Sequence, residues 1–304
     1  MTTRRDVLMS LGALALPGAL GAQSQPGKRF ETEIEVVTVT VAVTDPEGRL
    51  VTDLAQDEFE LFEDARPQTI TQFTRERVPV SLAVLLDVSD SMVGIRLTDA
   101  RQALDRFLFE LLAQDDEYAL VVFNHQPIVA STWTDNPARV TPALDALRGW
   151  GGTAIYDAVH STLPLLDKRH RQRGAAVVIS DGADTASDIQ LRDLRSRMLR
   201  TDAFIYAIGI DRDDPRAMRT RINPYSLRQI TDDTGGYTEI VKDTAELGPA
   251  TARIADELNK QYTLGYTPTR PPDSQFHGIR VRVKRANHRV RARRGYIATP
   301  GRRG

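Results

Sequence analysis

Val37, Val39, Val41 and Val43 alternate with Thr38, Thr40 and Ala42, and Asp45-Pro46-Glu47-Gly48 follows with turn chemistry. A period of two closed by Asp, Pro and Gly predicts a strand over residues 34–43 that leads into a hairpin. A second short strand is expected over 59–63, after which Asp64-Ala65-Arg66-Pro67 turns the chain towards Ile70 and Phe73. The rhythm then changes. Apolar runs at 82–86, 118–123, 175–179 and 204–210 are separated by stretches with helical spacing at about 97–112, 137–147, 154–166, 189–199 and 226–234. Short buried runs alternating with helices are the pattern of βαβ units and a largely parallel sheet. An additional strand at 126–133 reads as an antiparallel sheet edge. After a helix expected over 245–260, alternation returns at Tyr262, Leu264 and Tyr266, at Ile279, Val281 and Val283, and at Val290 and Ala292.

The expected fold class is therefore α/β, a doubly wound, mostly parallel sheet flanked by helices, inserted in a small all-β module made of N- and C-terminal strands. Neither flank holds enough strands to bury a face alone, because isolated hairpins are at best marginally stable in water. Charge favours joining them. Residues 31–64 hold eleven acids and one base, Arg49, whereas residues 278–304 hold ten Lys or Arg and no acid. Cross-strand pairs of opposite charge stabilise a sheet.

Across all 304 residues the formal net charge is −1 and the apolar share is 41%. Such a balance excludes a global field able to recruit nucleic acid or anionic membrane. The chain has no cysteine, so disulfides, thiolate zinc sites and cysteine nucleophiles are excluded. Near the N-terminus, Arg4-Arg5 precedes an apolar run from Met9 to Ala22 that is shorter than a membrane span. Residues 1–22 read as an export signal similar to the twin-arginine type, with Val7 where phenylalanine is commoner. A periplasmic or extracellular location, with no transmembrane segment in the mature chain, is expected. The remaining divisions are an N-terminal β segment over 23–78, the α/β domain over 79–243, and a linking helix with the C-terminal β segment over 244–304.

The first buried run ends in Asp87-Val88-Ser89-Asp90-Ser91, a carboxylate and two hydroxyls on a loop at the carboxyl edge of the sheet, where open α/β sheets bind ligands. By itself this string also reads as a turn and a helix cap. Thr153 follows Ser91 by 62 residues, after Gly151-Gly152, and Asp181 follows Thr153 by 28, closing another buried run. All three segments end on the same edge. Hydroxyls and carboxylates without imidazole or thiolate make an all-oxygen donor set, which favours Mg2+, with Mn2+ or Ca2+ as substitutes.

Asp87, Ser89, Ser91, Thr153 and Asp181 resemble, in order and context, the metal-ion-dependent adhesion site of the von Willebrand factor type A family. The strings DEFELFED, QTITQF, QYTLGYTP and RARRGY in the flanks are similar to an exported bacterial group called VWFA-related. Asp90 stands where glycine is frequent, and Ala65 where that group has a turn glycine. The resemblance implies that the two serines and the threonine ligate the metal, that the aspartates act directly or through water, and that an acidic side chain of a protein partner completes the shell. A metal-dependent interaction module with no turnover follows.

The competing class is a metal-dependent hydrolase or phosphotransferase with Asp87 as nucleophile. Phosphotransferases of the haloacid dehalogenase type need a second carboxylate where this chain has Ser89, and the hydrolase elbow G-x-S-x-G is absent. His125, His160, His170, His277 and His288 are scattered without ligand spacing. Asp157, one helical turn after Thr153, reads as a solvent-facing acid or as a support for the Thr153 loop. Trp150, beside Gly151, reads equally as loop packing or as an aromatic shown to a partner. The basic C-terminal strands read as a solvated sheet face or as a polyanion site, without the interleaved aromatics that base stacking requires.

Overall fold

The computed structural model describes residues 36–146, 148–211 and 222–298. The expected export signal at 1–22, and Glu33 and Glu35 of the acidic flank, lie outside them. The central sheet has six strands in the order β10 (Thr238–Val241), β9 (Phe204–Ile210), β8 (Arg173–Ser180), β5 (Val80–Asp87), β6 (Glu117–Phe123) and β7 (Pro127–Thr134). Every pairing is parallel except β6 with β7. All eight residues of β5 are buried, as a strand covered on both faces requires.

Helices α1 (Ile95–Arg106) and α6 (Leu247–Asn259) share one apolar layer with one face of this sheet, including Leu82, Val84, Leu104 and Ile254. Helices α3 (Ile155–Asp167), α4 (Leu191–Met198) and α5 (Pro224–Asp232) share the other, including Leu85, Val159, Leu194 and Ile230. The expected helix over 137–147 is a single 3-10 turn followed by the five-residue α2 (Thr141–Asp145). Pro142 in its first turn cannot donate, and few apolar residues anchor it. β10 was not foreseen, being only four residues with one fully buried.

The flanks pair with each other. β1 (Val37–Thr44) bonds antiparallel to β11 (Tyr262–Tyr266) and, at its end, to β13 (Arg289–Arg291); β4 (Gln72–Thr74) closes the other side of β11. A second sheet runs β14 (Gly295–Ile297), β12 (Phe276–Val283), β2 (Phe59–Glu63), β3 (Arg66–Gln68). Val39, Val41, Leu54 and Leu61 from the N-terminal flank share one core with Tyr262, Leu264, Tyr266 and Ile279 from the C-terminal flank. The charge complement is partly cross-strand: Glu60 stands opposite Arg282, and Glu58 accepts from Arg285 Nε at 2.8 Å. Arg291 and Arg293 are not solvated as read from the sequence. Arg291 pairs with the buried Glu257 of α6, and Arg293 donates to the Thr38 carbonyl at 2.7 Å. Glu257 also accepts from the Tyr206 hydroxyl of β9 at 2.9 Å, so α6 fastens the β flank to the central sheet. Among the described residues, no helix is long and apolar enough to cross a membrane.

Candidate functional site

The order of the central sheet fixes where a site belongs. From β5 the chain steps to β6 and β7 on one side and then returns to β8 on the other. The carboxyl ends of β5 and β8 therefore flank the point where strand order reverses, the usual ligand crevice of such sheets. Asp87 is the last residue of β5, and Asp181 follows the last residue of β8.

Asp87 is fully buried. Its Oδ1 accepts the Ser89 backbone N–H at 2.8 Å and its Oδ2 accepts the Ser180 hydroxyl at 2.5 Å. Burial pushes its carboxyl up to about 7; the hydrogen bonds from Ser180 and Ser89 pull the other way, and the Asp181 charge adds to the rise. Ser89 and Ser91 place their hydroxyl oxygens 3.1 Å apart, and the Ser91 hydroxyl donates to Asp181 Oδ1 at 2.6 Å. The other oxygen of Asp181 is held by Arg96, whose Nη1 also donates to the Ser91 carbonyl at 2.6 Å. Asp90, which stands where glycine is frequent, is exposed.

Thr153 is buried, directly after the Gly151-Gly152 loop. The Asp90 N–H reaches the Gly151 carbonyl at 3.0 Å and the Trp150 N–H reaches the Val88 carbonyl at 3.0 Å, which ties the loop before Thr153 to the Asp87–Ser91 loop. On its other side, Thr153 accepts at its carbonyl from Thr185 at 2.8 Å and Ala186 at 3.1 Å, while its N–H donates to the Thr185 hydroxyl at 3.1 Å. Four of the five residues thus form one chain of direct contacts; the fifth, Thr153, follows a loop bonded to the Asp87–Ser91 loop and is itself bonded to the segment after Asp181.

Two further carboxylates brace these loops, Asp157, for which loop support was one of two readings, and Asp184, which the sequence did not single out. Asp157, in the first turn of α3, accepts the backbone N–H groups of Asp188 at 2.9 Å and Ile189 at 3.0 Å. Asp184 returns the exchange, accepting the Tyr156 N–H at 2.9 Å, while the Ser187 hydroxyl accepts the Asp157 N–H at 3.1 Å. Asp157 is therefore a latch on the loop that follows Asp181 and not a solvent-facing acid. Its position, four residues after Thr153, was the available signal. Arg96 gave a weaker one, as an ordinary basic residue early in a helix.

The donor set fits a hard divalent cation. A desolvated carboxylate near a second one, whose charge Arg96 already offsets in part, leaves negative charge that a cation can balance, and the Ser89 and Ser91 hydroxyl oxygens lie beside them. Among the described residues, no group of three or more His, Asp or Glu is placed to hold a metal, so any ligand set here depends on hydroxyls. The histidines are used otherwise: His170 Nδ1 meets Glu117 at 2.8 Å, His277 lies between two aspartates, and His125 packs against Trp150. Trp133 donates its indole N–H to the Leu165 carbonyl at 3.0 Å, a packing role.

Residues 82–183 match the von Willebrand factor type A domain family. Among curated proteins, inter-alpha-trypsin inhibitor heavy chain H2 of Sus scrofa is 22% identical over 209 residues, covering 63% of this chain and 20% of its own length. This chain thus corresponds to about a fifth of that relative's length. Among solved structures, a von Willebrand factor type A protein from Catenulispora acidiphila aligns with a TM-score of 0.53 at 13% identity, covering 90% of this chain and 76% of that one. Proximal thread matrix protein 1 from the mussel byssus, solved with a zinc-occupied MIDAS motif, aligns with a TM-score of 0.51 at 15% identity, over 64% of this chain and 49% of that one. These structural likenesses carry the fold.

Proposed function

We propose, from the premise that this chain carries a von Willebrand factor type A domain, that residues 79–243 are a metal-dependent interaction module. In this reading Asp87, Ser89, Ser91, Thr153 and Asp181 hold Mg2+, with Mn2+ or Ca2+ as substitutes, and an acidic side chain of a protein partner binds at the ion. The observation that carries it is the convergence of the Ser89, Ser91 and Asp181 oxygens, 3.1 and 2.6 Å apart in sequence, above the buried Asp87 at the reversal point of the sheet.

When bound, the cation supplies positive charge and exchangeable coordination positions. The chain's own residues do the rest. Asp87 sets the position of the Ser89 backbone and contributes negative charge from below; Ser89 and Ser91 offer hydroxyl oxygens; Arg96 orients Asp181 and keeps the rim from becoming purely anionic. The zinc in the mussel byssus protein supports a divalent ion on this fold, and the all-oxygen donors here favour a harder one. Asp87 makes a poor nucleophile, since both its oxygens are bonded and the residue has no exposed surface. That geometry favours binding over turnover. The export signal at 1–22 would put the module in the periplasm or outside the cell.

Crystals grown with manganese test the site. An anomalous peak within about 2.3 Å of the Ser89 and Ser91 hydroxyl oxygens is expected. A peak elsewhere, or none at millimolar manganese, would overturn the assignment.

A further inference from the structure

Two large apolar side chains stand exposed beside the proposed ion site, Trp150 at 58% and Val93 at 56%. They come from the two loops that the backbone bonds between Trp150 and Val88, and between Asp90 and Gly151, hold together. The approach between these loops is close. A side chain at Gly149 would run into Val93, with the carbonyls of Ser89 and Val88 in close contact, so Val93 lies directly against the residue that precedes Trp150. The indole is also held, with the His125 ring meeting it edge-on at 4.5 Å between centroids.

An exposed aromatic that is already ordered loses little conformational freedom on binding, which is the usual character of an interface anchor. Exposed apolar residues are ordinary when scattered singly. These two come from loops that meet where Val93 abuts Gly149, and they adjoin the Ser89–Ser91 turn, where Val88 and Asp90 are their backbone partners.

We infer that Trp150 and Val93 form an apolar rim that seats a bulky aliphatic or aromatic side chain within two residues of the partner's acidic residue. The inference rests on the proposed cation reading and deepens it. The charge of a bound cation, together with Arg96, selects a carboxylate at one pole, while the rim selects hydrocarbon next to it. An extended segment advances about 3.3 Å per residue, so positions one or two removed from the acid reach a surface whose Val93 stands two residues after Ser91.

The test is an array of immobilised hexapeptides in a Gly/Ser background, each with one Asp or Glu and one varied neighbour, probed with the full chain in millimolar magnesium or chelator. Leu, Ile, Phe or Trp beside the acid should raise retention about tenfold over Ser at the same place. Trp150→Ala and Val93→Ser should reduce that preference to less than about twofold, while retention stays dependent on the acid and on magnesium. The magnesium-induced rise in melting temperature, measured on the same variants, reports that fold and ion site are intact. Acid- and magnesium-dependent retention without apolar preference, or a preference unchanged in both variants, overturns the rim and leaves the cation reading standing. Retention independent of acid and magnesium overturns the cation reading and the rim with it. Self-association of the chain that Trp150→Ala abolishes would assign the surface to a second copy and overturn the peptide partner.

Discussion

His277 is 3% exposed, yet both its ring nitrogens face carboxylates: Nδ1 lies 2.9 Å from Asp64 and Nε2 3.0 Å from Asp273. Glu63 stands 3.6 Å from Nδ1. Acceptors on both nitrogens suit only the doubly protonated ring. Burial disfavours that charge, but the hydrogen bonds to Asp273 and Asp64 outweigh it, and the pKa is raised above 6.5. The same bonds hold both aspartates below 3.8. A raised histidine contributes stability that is full below 6.5 and lost as pH climbs through the raised value, while the aspartates' contribution is lost as pH falls below 3.8. His277→Gln should therefore cost about 1–3 kcal/mol in denaturant unfolding at pH 6 and clearly less at pH 9. A cost that does not change with pH would contradict the charged clamp. None of this was legible beforehand. Asp64 and His277 are far apart in the chain, and a lone histidine in an alternating strand carries no sign of its neighbours. The turn was half legible: Asp64 and Ala65 both adopt positive φ, 47° and 63°, where a glycine at 65 would be unstrained.

The element that matters most for the site is the junction of α3 with the loop following β8. Thr153 and Asp181 belong to different segments, and their relation is set by the mutual hydrogen bonds of Asp157, Asp184, Ser187, Thr185 and Thr153. A carboxylate in the first turn of a helix also suits the helix dipole. Asp157→Ala leaves two loop N–H groups without their acceptor, at a cost of about 1–3 kcal/mol. On the account above it should also weaken magnesium binding in calorimetric titration by about tenfold, with Asp157→Asn, which keeps one acceptor oxygen, recovering most of that loss. Unchanged magnesium affinity in the alanine variant would show that the latch serves stability alone. Long apolar elements such as β5 and β8 were readable because burial on both faces leaves a continuous run. Short ones were not: β10 and α2 owe their form to neighbours rather than to their own period.

At the scale of the molecule, the α/β layer and the flanking β strands follow from two rhythms in the chain, and the opposite charges of the flanks foretold their pairing better than they foretold its details. Glu60 meets Arg282 across strands as expected, but Arg291 turns inward to Glu257 because α6 brings a buried carboxylate beside it. The candidate site was legible as a set of residue types because its chemistry depends on short oxygen-bearing side chains at strand ends. Of its supports, Arg96 and Asp184 were not, since each acts through contacts between segments remote in sequence, and Asp157 was legible only as one of two readings. The central claim, that these side chains form one cation site, predicts linkage between magnesium and folding, because an ion that binds only the folded crevice stabilises it by mass action. The measurement is the melting temperature of the full chain with chelator and with magnesium raised to about a hundred times its dissociation constant. A stabilisation of about 2.7 kcal/mol is expected, equivalent to about 5 °C or more, and Asp181→Ala should remove it. A melting temperature that ignores magnesium and chelator alike, or a shift that survives in Asp181→Ala, would contradict the account.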